Sequence, residues 1–304
     1  MDFQSLARKW GEHNLKGKSV FVDRRKGKDK LCLLLAGYKE QLWPEVLPRF
    51  KRFLPDDVEV CLLSSGKKLK VLDELAEENG WSYLSTKKNN VCLAQNIAID
   101  TFPEARLIWK IDEDMFLTEG VFGKMESAMT RAEERYPVKV GMAVPLININ
   151  AYGYRRILEH TGALEAFESR FGEARMVSGQ KSPIESDIQI ARFLWGETGD
   201  IPQLDDLNRQ RASSDLVTLC PVRFSIGCVV YRRDFWDMIM HFPVVPGNGI
   251  GLDEAYALGA AQAFSRPLAV AEDSVVGHFG YGPQTEKMME LYRERPELFH
   301  LKEA

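Results

Sequence analysis

The chain has 304 residues, 45% hydrophobic and 28% charged, with a formal net charge of −4 at pH 7. Such a composition buries a core as one large domain or two small ones, and speaks against a disordered chain or a general nucleic-acid coat. No window approaches the roughly 18–20 apolar residues of a membrane span, the N-terminal MDFQSLARKWGEHN has no apolar export signal, and Cys32, Cys61, Cys92, Cys220 and Cys228 are scattered through apolar segments, so a reduced, cytoplasmic protein is expected.

Residues 1–29 form a basic leader. Within it, LKGKSVFVDRRKGKDK (15–30) sets seven Lys and Arg against two Asp. Such a run reads either as a solvated approach to the first strand or as a docking patch for a phosphate-rich acceptor or a membrane surface. KLCLLLAGY (30–38) is a buried strand, QLWPEVLPRFKRFL (41–54) has helical spacing, and VEVCLLSSG (58–66) is a second strand. KLKVLDELAEENG (68–80) is an amphipathic helix closed by Gly80, WSYLST (81–86) a third strand, VCLAQNIAIDTF (91–102) a helix and RLIWKI (106–111) a fourth strand. Four strand–helix alternations predict an α/β fold with a mixed, mostly parallel sheet flanked by helices. KVGMAVPLIN (139–148) adds a strand, and RRILEHTGALEAFESRF (155–171) reads as helical, but the alternation lapses over 150–220, which is expected as an insertion or lid. Order returns with VRFSIGCVVYRRDFWDMIMHF (222–242), GNGIGLDEAYALGAAQAF (247–264) and PLAVAEDSVVGHFGYG (267–282), and residues 283–304 read as a helical tail.

The fourth strand ends in Asp112, Glu113 and Asp114. Side chains alternate along a strand, so Asp112 and Asp114 share a face. Two carboxylates there are reconciled either by a hard divalent cation with phosphate oxygens in its shell or by a helix N-terminus that the acids cap. An EF-hand loop does not fit, because Phe116 and Leu117 stand where acid and Gly are needed. A phosphatase-type Asp-x-Asp-x-Thr motif fails at Met115 and Phe116.

Taken in order, KIDEDMF, FSIGCVVYRRDFW, GIGLDEAYAL and DSVVGHFGYG resemble the GT-A-fold (Rossmann-like) nucleotide-sugar glycosyltransferases of the inverting family 2 type, over roughly residues 30–282. The resemblance implies a nucleotide-binding half at 30–120 and an acceptor half at 121–282. It assigns Asp112 and Asp114 to Mn²⁺ or Mg²⁺ on the donor diphosphate, and His278, between Gly277 and Gly280, to the same metal. Asp253 and Glu254 match a Glu-Asp motif in reversed order, with Glu254 at the position of the general base. Ala36, Gly37 and Tyr38 match the strand end that meets base and ribose. Ser64 and Ser65 replace an Asp that reads uracil, Gln95 and Asn96 replace an Arg-Asn pair, and Lys110 and Glu113 complete the nucleotide-binding set. A UDP-sugar donor is implied. The acceptor stays open among a glycan, a lipid-linked saccharide and a hydroxylated nucleic-acid base. Alternatives are a sugar nucleotidyltransferase, for which AGYKEQLWP lacks the Gly-rich basic loop, a non-catalytic nucleotide- or glycan-binding module, favoured if Asp253 and Glu254 are buried and paired away from the cleft, and, more distantly, a haloacid-dehalogenase-like phosphatase.

Overall fold

Leu31–Leu34 are wholly buried in the computed structural model, as an apolar run flanked by polar residues requires, and the run is the central strand of a parallel set. The structure describes residues 2–177 and 182–303. In chain order the elements are α1 (Phe3–Asn14), β1 (Ser19–Val22), β2 (Lys30–Leu35), α2 (Trp43–Phe53), β3 (Glu59–Ser65), α3 (Lys70–Glu78), β4 (Ser82–Thr86), α4 (Val91–Thr101), β5 (Leu107–Asp112), β6 (Met115–Phe116), α5 (Val121–Arg135) and β7 (Met142–Ile147). They continue with α6 (Gly153–Thr161), α7 (Leu164–Phe171), α8 (Pro183–Ser186), α9 (Ile188–Leu194), α10 (Leu204–Arg211), β8 (Val217–Leu219), β9 (Cys228–Arg232), α11 (Arg233–Ile239), α12 (Leu252–Ala263), β10 (Leu268–His278) and α13 (Thr285–Glu294). No helix among the described residues is long and apolar enough to cross a membrane.

The chain divides into two units, the first comprising 1–40, 55–113 and 228–267, the second 41–54, 114–227 and 268–304. In the first unit the strands run in the order β1-β4-β3-β2-β5-β9, with β4, β3, β2 and β5 parallel and the two outer members antiparallel. The chain steps outward from β2 through β3 to β4 and then returns to place β5 on the other side of β2. Such a reversal opens a crevice at the carboxyl ends of the two flanking strands. Leu35 at the end of β2 pairs with Asp112 at the end of β5, so Ala36–Tyr38 and Asp112–Glu113 leave the sheet side by side. The helix α4 is started by Asn90, whose Oδ1 accepts from Leu93 N at 3.0 Å.

In the second unit β10 is the central strand, parallel to β7 and antiparallel to β6 and β8, and α5 and α10 pack against it. All eleven residues of β10 are buried. The β6 pairing, Gly277↔Phe116 and His278↔Met115, ties the residues just after the acid triplet to the end of β10.

Three stretches differ from the sequence reading. The 1–29 leader contains α1 and an edge strand, β1, whose four residues pair with β4 from Ser19↔Thr86 to Val22↔Tyr83; flanking lysines mask so short a strand in sequence. The 150–220 stretch, whose residues 178–181 lie outside the described set, supplies core rather than only a cover: Phe167, Phe171 and Phe193 pack ring to ring, Trp195 meets Phe116 edge-on with ring centroids 5.2 Å apart, and β8 joins the sheet. The helix expected over 155–171 is two, α6 and α7, because Gly162 turns left-handed at φ 73°.

Candidate active site

In the first unit the chemistry gathers around a buried lysine. Lys110 and Asp112 lie two residues apart on β5 and therefore on one face. The Lys110 ammonium, 4% exposed, bonds Asp112 Oδ2 at 2.8 Å and lies 4.0 Å from Asp253 Oδ2 at the start of α12. Burial pushes the Lys110 pKa down, but Asp112, Asp253 and then Glu254 outweigh it and hold the group above its ordinary value, as a firm cation. The second hold on Asp253 is Gln95, whose Nε2 donates to Asp253 Oδ2 at 2.9 Å from α4. Thus Gln95, Lys110, Asp112 and Asp253, chosen from three separate motifs, form one connected chain in which a single cation lies between two carboxylates. Asp253 and Glu254 are both buried, at 4% and 7% exposure, and Asp253 is paired toward the end of β5 rather than away from it.

Glu113 points elsewhere. Its Oε2 accepts from Gly37 N at 2.9 Å and its Oε1 from Tyr38 N at 2.7 Å, so the carboxylate clasps the turn after β2. Gly37 holds that turn at φ 126°, a conformation a side chain would strain. Tyr38 is half exposed, its hydroxyl donates to Ser65 O, and the Lys67 ammonium lies 4.0 Å over its ring while donating to Gly37 O at 2.9 Å. Ala36 is buried, with its N–H donating to Leu63 O at 3.0 Å.

Other residues expected to meet nucleotide are engaged within the protein. Ser64 is fully buried, its hydroxyl between Lys67 O at 2.6 Å and Tyr83 OH at 2.8 Å. Ser65 Oγ accepts from Asn90 N at 2.7 Å and supports the start of α4. Asn96 brackets distant backbone, donating to Asn14 O at 3.0 Å and Phe242 O at 2.9 Å and accepting from Phe242 N at 2.9 Å. Its whole amide is used in holding those segments, which its place beside Gln95 in sequence does not reveal.

In the second unit, the β6–β10 ladder brings Asp114 and His278 together, with Asp114 Oδ2 3.2 Å from His278 Nε2. His278 is fixed on several sides: its N–H donates to Asn148 Oδ1 at 2.8 Å, its carbonyl accepts from Trp195 Nε1 at 3.2 Å, and the Tyr281 ring meets it edge-on at 4.8 Å. Nδ1 faces Ile149 O at 3.3 Å. In the tautomer whose Nδ1 proton faces that carbonyl, Nε2 and the Asp114 carboxylate can ligate one cation; in the other, Nε2–H donates to Asp114 Oδ2. Two ligands at right angles, each about 2.1 Å from a cation, lie about 3.0 Å apart, close to the spacing found. Asn148, Ile149, Trp195 and Tyr281 were not legible as partners of His278; the only hint is the polar pair Asn148 and Asn150 following an apolar strand. Among the described residues no group of three or more His, Cys, Asp or Glu is gathered to hold a metal by itself. A cation here therefore needs oxygens from elsewhere, the usual state of a magnesium or manganese site that is finished by phosphates.

No family model matches the chain, and no curated protein matches it in sequence. Among solved structures it is similar to GalNAc-T7 with UDP, GalNAc and Mn²⁺, at 12% identity and a TM-score of 0.47, over 91% of this chain and 52% of that one. It is also similar to the mannosyltransferase PcManGT of Pyrobaculum calidifontis in complex with GDP-Man and Mn²⁺, at 11% identity and a TM-score of 0.46, over 90% of this chain and 63% of that one. A third is the glucosyl-3-phosphoglycerate synthase of Mycobacterium tuberculosis in complex with Mn²⁺, UDP and phosphoglyceric acid, at 12% identity and a TM-score of 0.45, over 92% and 81%. The chain thus spans about half and under two thirds of the length of the first two.

Proposed function

We propose that the protein is an inverting glycosyltransferase that moves a sugar from a nucleoside-diphosphate sugar, by preference a UDP-sugar, to an acceptor hydroxyl, with Mn²⁺ or Mg²⁺ as cofactor. The observation that carries the reading is the acid-rich end of β5 at the strand reversal of the first unit, where Asp112 is held by a cationic Lys110. Asp112 and Asp114 are assigned as the metal-binding pair, with His278 as a further ligand. The bound cation would neutralise charge on the departing nucleoside diphosphate.

Asp253 is tied by Lys110 and Gln95, and so serves as a positioning residue that sets the first turn of α12. The base is its neighbour Glu254. In the transfer, the acceptor oxygen forms a bond to the anomeric carbon while its proton passes to the Glu254 carboxylate. The bond from that carbon to the diphosphate oxygen breaks, and its electron pair leaves with the nucleoside diphosphate. Glu113 holds the turn that carries Tyr38, whose half-exposed ring would stack on a base.

A Glu254→Gln variant is expected to lose about 10²–10⁴-fold in kcat for release of nucleoside diphosphate from a donor panel, with donor binding retained. Full activity in this variant would remove Glu254 from the role. A second reading, a non-catalytic nucleotide- or glycan-binding module, is met in part: Asp253 and Glu254 are buried, but Asp253 is paired toward the end of β5 rather than away from it. It predicts tight donor binding with no turnover in wild type.

A further inference from the structure

Three pairs of exposed lysines from distant parts of the sequence, Lys16 and Lys18, Lys67 and Lys68, and Lys87 and Lys88, leave the first unit's sheet side by side. The β1–β4 ladder begins at Ser19↔Thr86, and Lys87 N donates to Lys18 O at 2.8 Å, which places the first pair against the third. The β3–β4 ladder ends at Ser65↔Thr86, and Gly66 N donates to Thr86 O at 3.0 Å, which places the second pair on the other side. Neighbouring strands are ~4.8 Å apart, so the backbone of this row spans about 10 Å. Residues 14–20, 64–70 and 84–92 contain no acid. Among the described residues none of the six lysines takes part in an ion pair, whereas Lys30, Lys70, Lys124, Lys287 and Lys302 pair with Asp57, Glu74, Asp273, Glu290 and Asp206.

The Lys67 ammonium is engaged at Gly37 O and over the Tyr38 ring; the other five like charges, crowded on one edge of a chain with net charge −4, repel one another, and a polyanion relieves that repulsion. We propose that this row docks the phosphate backbone of a nucleic-acid strand. The charges run as a line across three strand ends, which suits a linear polyanion. The residues between them, Gly17, Gly66 and Asn89, are small or polar, and the exposed apolar side chains nearest in sequence are single valines, Val20 and Val71, rather than the bulky cluster that a membrane surface engages. The lysines are point charges without base-reading geometry, so binding is independent of sequence. The inference is tested apart from the transferase reading through Lys16, Lys18, Lys87 and Lys88, whose side chains bond none of the residues assigned to metal, donor or base, whereas Lys67 touches Gly37 and Tyr38.

The test is fluorescence polarisation of the full chain with labelled single-stranded and duplex DNA oligonucleotides across a salt series, beside sedimentation with phosphatidylserine vesicles. Contact with about four phosphates predicts that affinity falls about a hundredfold between ~50 and ~200 mM salt. The combined change of Lys16, Lys18, Lys87 and Lys88 to Gln should remove most of this binding and its salt dependence, leaving the melting temperature and UDP–Mn²⁺ binding unchanged, while Lys287→Gln should change nothing. Absence of salt-sensitive binding to either oligonucleotide, equal binding by the fourfold variant, or binding to vesicles in preference to DNA overturns the proposal.

Discussion

A buried ammonium persists only where carboxylates and hydrogen-bond acceptors replace its lost hydration, and Lys110 has Asp112 and Asp253 within 4.0 Å. Removing it strands both acids. Lys110→Met is therefore expected to destabilise the protein by about 3–5 kcal/mol in urea unfolding, far more than loss of an exposed lysine, and an unchanged midpoint would show that the pair is not what balances these acids. The same scale explains what sequence could and could not convey about the site. Asp112 and Asp114 stand out because charged residues beside an apolar strand are conspicuous, whereas Glu254 and His278 were singled out by the family resemblance. The roles of Glu113, Ser64 and Asn96 depend on partners 76, 19 and 146 residues away, and no local pattern encodes those separations.

At the scale of elements, the close approach of β10 to the aromatic cluster sets His278 in place. A Cβ on Gly277 would lie 2.4 Å from Trp195 Cη2, and Trp195 is itself packed against Phe116 and Phe299 with ring centroids at 5.2 and 4.7 Å. The tryptophan has no room to yield. Gly277→Ala should cost about 1–3 kcal/mol by overpacking and weaken Mn²⁺ binding through its neighbour His278; a fully stable variant would mean that the ladder tolerates the shift. The elements themselves were legible where apolar runs and amphipathic helices alternate, from β2 to β5. They were obscure where strands are very short, as in β1, β6 and β8, because two to four residues carry too little periodicity to read. Over 150–220 the pattern failed for another reason: α6, α7 and α9 pack aromatic residues in irregular spacing rather than along one stripe.

For the molecule as a whole, stability at low pH is tied to Glu272, fully buried on β10. Burial would raise its pKa, but hydrogen bonds from His160, Arg156 and Thr218 overcome that and lower it from 4.5 to about 2. The unfolded chain therefore takes up this proton first, and the contribution, about 3 kcal/mol, is complete above pH 4.5 and disappears as pH falls through about 2. Glu272→Gln should flatten that part of the acid-unfolding profile; an identical profile would show that another group governs it. The central claim, that the acids after β5 hold a cation and the diphosphate of a donor, is tested most directly by calorimetric titration of UDP, then GDP, with Mn²⁺ and with EDTA, on wild type, Asp114→Ala and His278→Ala. The account predicts binding of one nucleotide that requires Mn²⁺, is abolished by Asp114→Ala and is weakened by His278→Ala. Binding of neither nucleotide by a folded wild type, or binding indifferent to Mn²⁺ and to both substitutions, would contradict it.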